Sequence, residues 1–184
     1  QDIPVTDDVL GLRLNYQGSA HDGSVENIEL DDRSWAATEE HRIRAQALWL
    51  PPGLPGTEVS ILAEFGQSSG NPAGESKGFG EYSLFDRKTD ENSVVRADAE
   101  LWIVSIGARS LLDDGVELES TTGLSALDLV RDFDLDLGAS LGWIVQSTTD
   151  EVLLSEHLRV NGGDGDGLRW AFGAFGSYGT YELD

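Results

Sequence analysis

Apolar residues recur at every second position along most of the chain, and no segment sustains the 3.6-residue period of an amphipathic helix. The clearest case is the run from Phe133 to Val145, FDLDLGASLGWIV, in which every odd position is apolar and most positions between are Asp, Gly or Ser. Such alternation predicts strands near 8–17, 41–50, 57–67, 78–86, 94–110, 115–129, 132–146, 151–161 and 168–181, with a weaker one at 25–30. Residues that reverse a chain separate them, at 51–56, 113–115, 130–132, 147–150 and 162–167. Because these links are short, strands adjacent in sequence are expected to pair antiparallel. The polar stretches near 18–40 and 68–77 are expected to be loops or loop-borne hairpins. The fold predicted is all-β: one domain over residues 1–184, an antiparallel up-and-down β-barrel of eight to ten strands.

The two faces of these strands differ in kind. Thirteen residues at about 3.4 Å each, tilted by about 45°, cover roughly 30 Å, the thickness of a bilayer's hydrocarbon core. Opposite the apolar row of that run stand Asp134, Asp136, Gly138, Ser140 and Gly142, and in the last strand Arg169, Ala171, Gly173, Ser177 and Gly179. Glycine packs nothing and weakens a strand, so a solvent-facing row of it has little purpose, whereas the inside of a narrow barrel has room only for small groups. Leu137, Leu141 and Trp143, with Leu168, Trp170, Phe172 and Ala174, would then face lipid. Glu156 falls on that same apolar side, between Leu154 and Leu158.

The charges bear on this choice of faces. On the faces opposite the apolar ones, Arg13, Arg42, Arg44, Arg96, Arg159 and Arg169 meet Glu64, Asp98, Glu100, Glu117, Glu119, Asp134 and Asp136. Six cations against seven anions is near balance, in a chain where acids outnumber Lys plus Arg by 34 to 12. Charges withdrawn from water need such pairing, so these residues are expected to form an interior polar network. The net charge of −22 repels nucleic acid, which is excluded as a partner. Cysteine is absent, so neither disulfides nor thiolate metal sites are available. No stretch approaches the roughly 20 apolar residues of a membrane-spanning helix. A start at Gln1 without a basic-then-apolar leader fits a mature exported chain.

Little else carries chemistry. Of His21, His41 and His157, the last shares a strand side with Ser155, but Glu156 points the other way, so no Ser/His/acid set forms. The turn from Gly162 to Gly167, GGDGDG, misplaces the last Asp of the calcium-repeat pattern and occurs once. Paired acids at Asp31-Asp32 and Asp113-Asp114 read as solvated turns. Residues 70–77, GNPAGESK, lack phosphate-loop spacing. No catalytic residue, metal or cofactor is expected, and an enzymatic role is not required. Trp35, Trp49, Trp102, Trp143 and Trp170 are candidates for interfacial aromatic belts.

From Glu100 to Asp184 the chain reads as a meander of hairpins punctuated by Gly and aromatics: ELWIVSIGARSLLDDGVELESTTGLSALD, DFDLDLGASLGWIVQ, SEHLRVNGG and LRWAFGAFGSYGTYELD. In this half it resembles the small outer-membrane β-barrel proteins of Gram-negative bacteria. The resemblance implies an outer-membrane location with lipid as a partner. It also implies a structural, surface-interaction or narrow porin-like transport role, with a small solute or surface ligand. The alternative is a secreted soluble β-barrel whose apolar rows point inward and bind a small hydrophobic ligand.

Overall fold

The computed structural model describes residues 2–6, 9–71, 86–92, 95–112, 115–134, 144–163 and 167–184, and among them it contains strands and no α-helix. The strands are β1 (Asp2–Thr6), β2 (Leu10–Asn27), β3 (Asp32–Trp49), β4 (Thr57–Gly70), β5 (Lys88–Thr89), β6 (Arg96–Leu111), β7 (Glu117–Asp134), β8 (Ile144–Gly162) and β9 (Trp170–Leu183). Eight of them follow one another across a single sheet in the order β1-β2-β3-β4-β6-β7-β8-β9, each antiparallel to the next. This is the predicted up-and-down β-barrel topology, but the sheet is open. β1 and β9 stand at its two edges and, among the described residues, do not pair with each other.

Seven of the strands run for 14 to 19 residues, about three times the usual five or six. That length overturns two expected breaks and one expected strand. Residues 130–132 and 147–150, read as turns, lie inside the β7–β8 ladder, with Val130 opposite Thr148 and Asp132 opposite Gln146. Polar residues continue a strand when a partner strand supplies hydrogen bonds, and residue type alone does not report that partner. The run from Phe133 to Val145 is not one strand, because Phe133 pairs with Val145 and Asp134 with Ile144, so the chain doubles back between them. Residues 135–143, with Leu137, Leu141 and Trp143, lie outside the described residues, as does most of the strand expected at 78–86.

The stretch 18–40 is a hairpin, formed by the outer halves of β2 and β3. Its register shifts between Asp22 and Val25. Gly23 makes the shift possible: its φ is +85°, and a Cβ there would lie 2.4 Å from the Ser34 carbonyl oxygen. At the tip, Asp32 Oδ1 accepts hydrogen bonds from the Ser34 amide at 2.8 Å and hydroxyl at 2.7 Å. The paired acids Asp31-Asp32 are thus explained as a turn. β5, from the β4–β6 connection, pairs in parallel with Glu26 and Asn27. Val25, Trp35 and Val95 form the buried apolar cluster there, beside the buried Asn27, Thr89 and Glu91. Asn27 Nδ2 donates to the Glu91 carbonyl at 3.0 Å, and the Ile28 amide to the Thr89 carbonyl at 2.9 Å. Trp35 therefore belongs to this cap and to no aromatic belt.

Candidate functional site

Because residues opposite one another in a ladder share a face, the registers sort the side chains into two surfaces. One surface is apolar over most of the sheet, interrupted by Ser120, Thr122 and Glu156 in β7 and β8. Its rows run Leu12, Ala47, Ile61 and Ile106, then Leu14, Ala45, Ala63, Val104, Leu124, Leu154 and Tyr178, then Tyr16, Ile43, Phe65, Trp102, Ala126 and Val152. These side chains do not pack into a core: Trp102 is 54% exposed and Ile106 51%. Aromatics mark both margins. Trp49 and Trp170 stand toward the short links 50–56 and 163–169, and Tyr16, Phe65 and Trp102 toward the other end, with the Phe65 and Trp102 rings 4.4 Å apart. In β8 the apolar face extends from Val152 to Val160, eight steps. At about 3.4 Å each that is about 27 Å along the strand, or about 20 Å of height at a tilt near 40°.

Just beyond Trp102 this face becomes acidic: Glu100, Asp128, Asp150 and Glu182 stand opposite one another across four consecutive strands. Here the sequence reading needs correction. Arg96, Asp98 and Glu100 lie on the apolar side's outer margin, not opposite it. Arg96 pairs with Asp132 at 2.8 Å and Asp98 at 3.8 Å. The reason is the run Leu101-Trp102-Ile103-Val104, apolar on both faces, which leaves the phase of β6 undetermined until a neighbour fixes it. The same inversion hid Arg109.

The opposite surface carries the ions. Arg13, Arg42, Arg44, Glu64, Glu117, Glu119 and Arg159 share it. Glu64, only 5% exposed, is held between Arg44 at 2.5 Å and Arg42 at 3.4 Å. Nearer the short links, Arg109 bonds Glu117 and stands 3.8 Å from Glu119, which Arg159 approaches at 3.9 Å. Arg159 Nε also donates to Asn161 Oδ1 at 2.8 Å. Arg169 is exposed in the link before β9 rather than in the sheet, Asp134 stands in register with Ile144, and Asp136 lies outside the described residues. Three cavities open chiefly among these residues. One of about 620 Å³ is lined by Arg13, Gln46, Leu48, Ser60, Leu62 and Ser105. One of about 280 Å³ lies beside Gln17, Arg42 and Gly66, and one of about 250 Å³ beside Arg109, Glu119 and His157.

One constellation has no sequence signal. His41 Nε2 lies 2.8 Å from Glu39 Oε1, and its Nδ1 lies 2.8 Å from the Tyr16 hydroxyl. Only the β2–β3 register brings Tyr16 alongside, 25 residues away. With the proton on Nε2, His41 donates to Glu39 and accepts from Tyr16, tying an aromatic of the outer margin to its neighbour strand. Ser155 and His157 do share a side, and Glu156 faces the other way, bonded to Ser120 and Thr122. Among the described residues no group of three or more His, Asp or Glu is placed to hold a metal.

A meandering antiparallel sheet of long strands, apolar and exposed on one face and ion-paired on the other, is the wall of a β-barrel. Among solved structures the chain is similar to the ferric yersiniabactin uptake receptor FyuA from Yersinia pestis, with a TM-score of 0.80 and 17% identity. The similarity covers 99% of this chain and 28% of that one, so the chain spans under a third of the receptor's length. No protein-family model and no curated protein sequence matches the chain.

Proposed function

We propose that the chain forms wall of a Gram-negative outer-membrane β-barrel, its apolar face against lipid and its ion-paired face lining a path for a small solute. The observation that carries this reading is the exposed apolar face, which extends over seven strands with Ser120, Thr122 and Glu156 as interruptions, while three cavities open chiefly among residues of the polar face. In water, so large an apolar patch is an association liability, whereas in a bilayer it is the solvated surface. The secreted alternative calls for those rows packed inward around a ligand, and the exposure of Trp102 and Ile106 favours the membrane reading over it. The links 7–9, 50–56, 112–116 and 163–169 share one end, and 28–31, at the tip of the long β2–β3 hairpin, lies with the longer connections 71–95 and 135–143 at the other. Outer-membrane barrels put short turns on the periplasmic side, so the cap and acid row would face outward. Lipid cannot satisfy the backbone of an open edge, so in a membrane β1 and β9 would each pair with a further strand, of a longer chain or of another copy of this one. The fold shared with a segment of a longer uptake receptor supports a wide barrel rather than eight strands closed on themselves.

The test is fractionation. Expressed with an export signal in a Gram-negative host, the chain should stay with outer membranes through a high-pH wash and come into solution only with detergent. A monodisperse species in buffer would contradict the reading.

A further inference from the structure

We propose that the ion-paired face of β2, β3 and β4 binds a small organic anion, with its carboxylate or phosphate head on Arg42 and Arg44 and its apolar body against Leu48 and Leu62. The inference rests on the reading of that face as a solute path. Glu64 holds both arginines through Nε, Arg44 at 2.5 Å and Arg42 at 3.4 Å. The terminal nitrogens of both guanidiniums are left over. Among the described residues neither arginine has another ionic or hydrogen-bonding partner, and the Arg42 and Arg44 side chains are 55% and 42% exposed above the buried Glu64. A guanidinium stays charged at any working pH, and its fork meets a carboxylate or phosphate with two parallel hydrogen bonds. Two forks held by one buried carboxylate are therefore set to receive an anion with little further ordering.

The neighbouring cavity gives that anion a body. The space of about 620 Å³ begins one step along each strand from the pair: Gln46 follows Arg44 by two on the same face of β3, and Leu62 precedes Glu64 by two on β4. In a chain with 34 acidic residues, no Asp or Glu is among those that line it. On the ion-paired face its lining is Leu48 and Leu62 with Gln46, Ser60 and Ser105, an apolar floor with neutral donors, and Arg13 beside them. A cavity of that size, mostly apolar with a few polar groups, suits a small molecule, and an acid-free one beside two guanidiniums suits an anion. The other ion pairs offer no such place. Near the short links Arg109 and Arg159 stand among Glu58, Glu117 and Glu119, so acids outnumber cations there. Glu40 shares a face of β3 with Arg42, but it lies on the side away from the cavity and forms no ion pair with that arginine.

Equilibrium dialysis of the detergent-solubilised chain, with empty micelles as the blank, measures the binding. The probes are naphthalene-2-carboxylate and 2-naphthyl phosphate, the neutral 2-naphthalenemethanol, and acetate, which has a head but no body. A naphthyl anion should half-saturate the chain at about one-tenth the concentration that the alcohol or acetate needs, and the tighter of the two anions identifies the head. Arg42→Gln and Arg44→Gln should each raise that concentration about tenfold, while Glu64 keeps one guanidinium in either variant. Lys at either position keeps the charge but lacks the fork, and should recover little of the loss. Leu62→Asp replaces no member of the ion pairs but puts a carboxylate into the cavity. It should abolish the preference, and it decides the matter if the arginine variants do not fold. Equal binding of the naphthyl anions and the alcohol, full binding by the Lys variants, or a preference that survives the Gln variants or Leu62→Asp would overturn the proposal. A chain that needs detergent but shows no preference defeats this inference alone, whereas a chain that is monodisperse in buffer defeats the membrane reading.

Discussion

Placing an arginine at Leu124 tests the lipid-facing surface at its middle. Leu124 lies in β7 in register with Val104 and Leu154, and 46% of it is exposed. In hydrocarbon that exposed half is solvated by lipid, and Leu124→Arg should cost about 2–4 kcal/mol near the midplane. Asp128→Arg moves the same guanidinium four residues along β7, about 14 Å at about 3.4 Å per residue, into the acid row. There the cost should fall to about 0–1 kcal/mol, and the neighbouring Glu100 and Asp150 would favour the charge. The difference between the variants, about 2 kcal/mol, is a roughly thirtyfold change in the folded-to-unfolded ratio. Denaturant titration in vesicles, followed by tryptophan fluorescence, measures it. A soluble protein with Leu124 on a water-exposed surface would show both changes within about 0.5 kcal/mol of wild type, and that result would refute the reasoning.

Other substitutions probe the rest. Glu64→Ala leaves Arg42 and Arg44 without their shared carboxylate, and since both arginines remain partly wet it should cost about 1–3 kcal/mol in the same titration, with Gln recovering part. Gly23→Ala forces a side chain into a left-handed bulge against Ser34. It should cost more than about 1 kcal/mol and shift Trp35 emission to the red as the cap opens, whereas unchanged emission would show the bulge is not needed. Ser155→Ala and His157→Ala should leave liposome-swelling rates for small solutes unchanged. Ester turnover abolished by either would reveal a hydrolase instead.

Period-two alternation reported the strands wherever one face is apolar and the other small or charged, as in β4, where Val59, Ile61, Ala63 and Phe65 oppose Glu58, Ser60 and Glu64. It found β6, near 94–110, but not its phase, because the Leu101–Val104 run is apolar on both faces. A single phase error there moved Arg96, Asp98 and Glu100 to the wrong surface and concealed Arg109. Alternation also runs straight through Phe133–Val145 and cannot show that the chain returns on itself, since that depends on the register of β7 against β8. β1 carries Pro4 and spans five residues, too short to display a period. The Trp35 cap and the Glu39–His41–Tyr16 chain join residues far apart in sequence, so neither had a local signature.

Which face of the sheet meets lipid distinguishes a membrane wall from a soluble barrel, and β6 allows that to be measured directly. The chain has no cysteine, so single Cys variants from Trp102 to Ala108 can each carry a nitroxide in vesicles, with collision rates read against oxygen and a water-soluble nickel chelate. Positions 102, 104, 106 and 108 should favour oxygen, and 103, 105 and 107 the nickel chelate, alternating with a period of two. Nickel access at the even positions, or a loss of the alternation, would contradict the central claim.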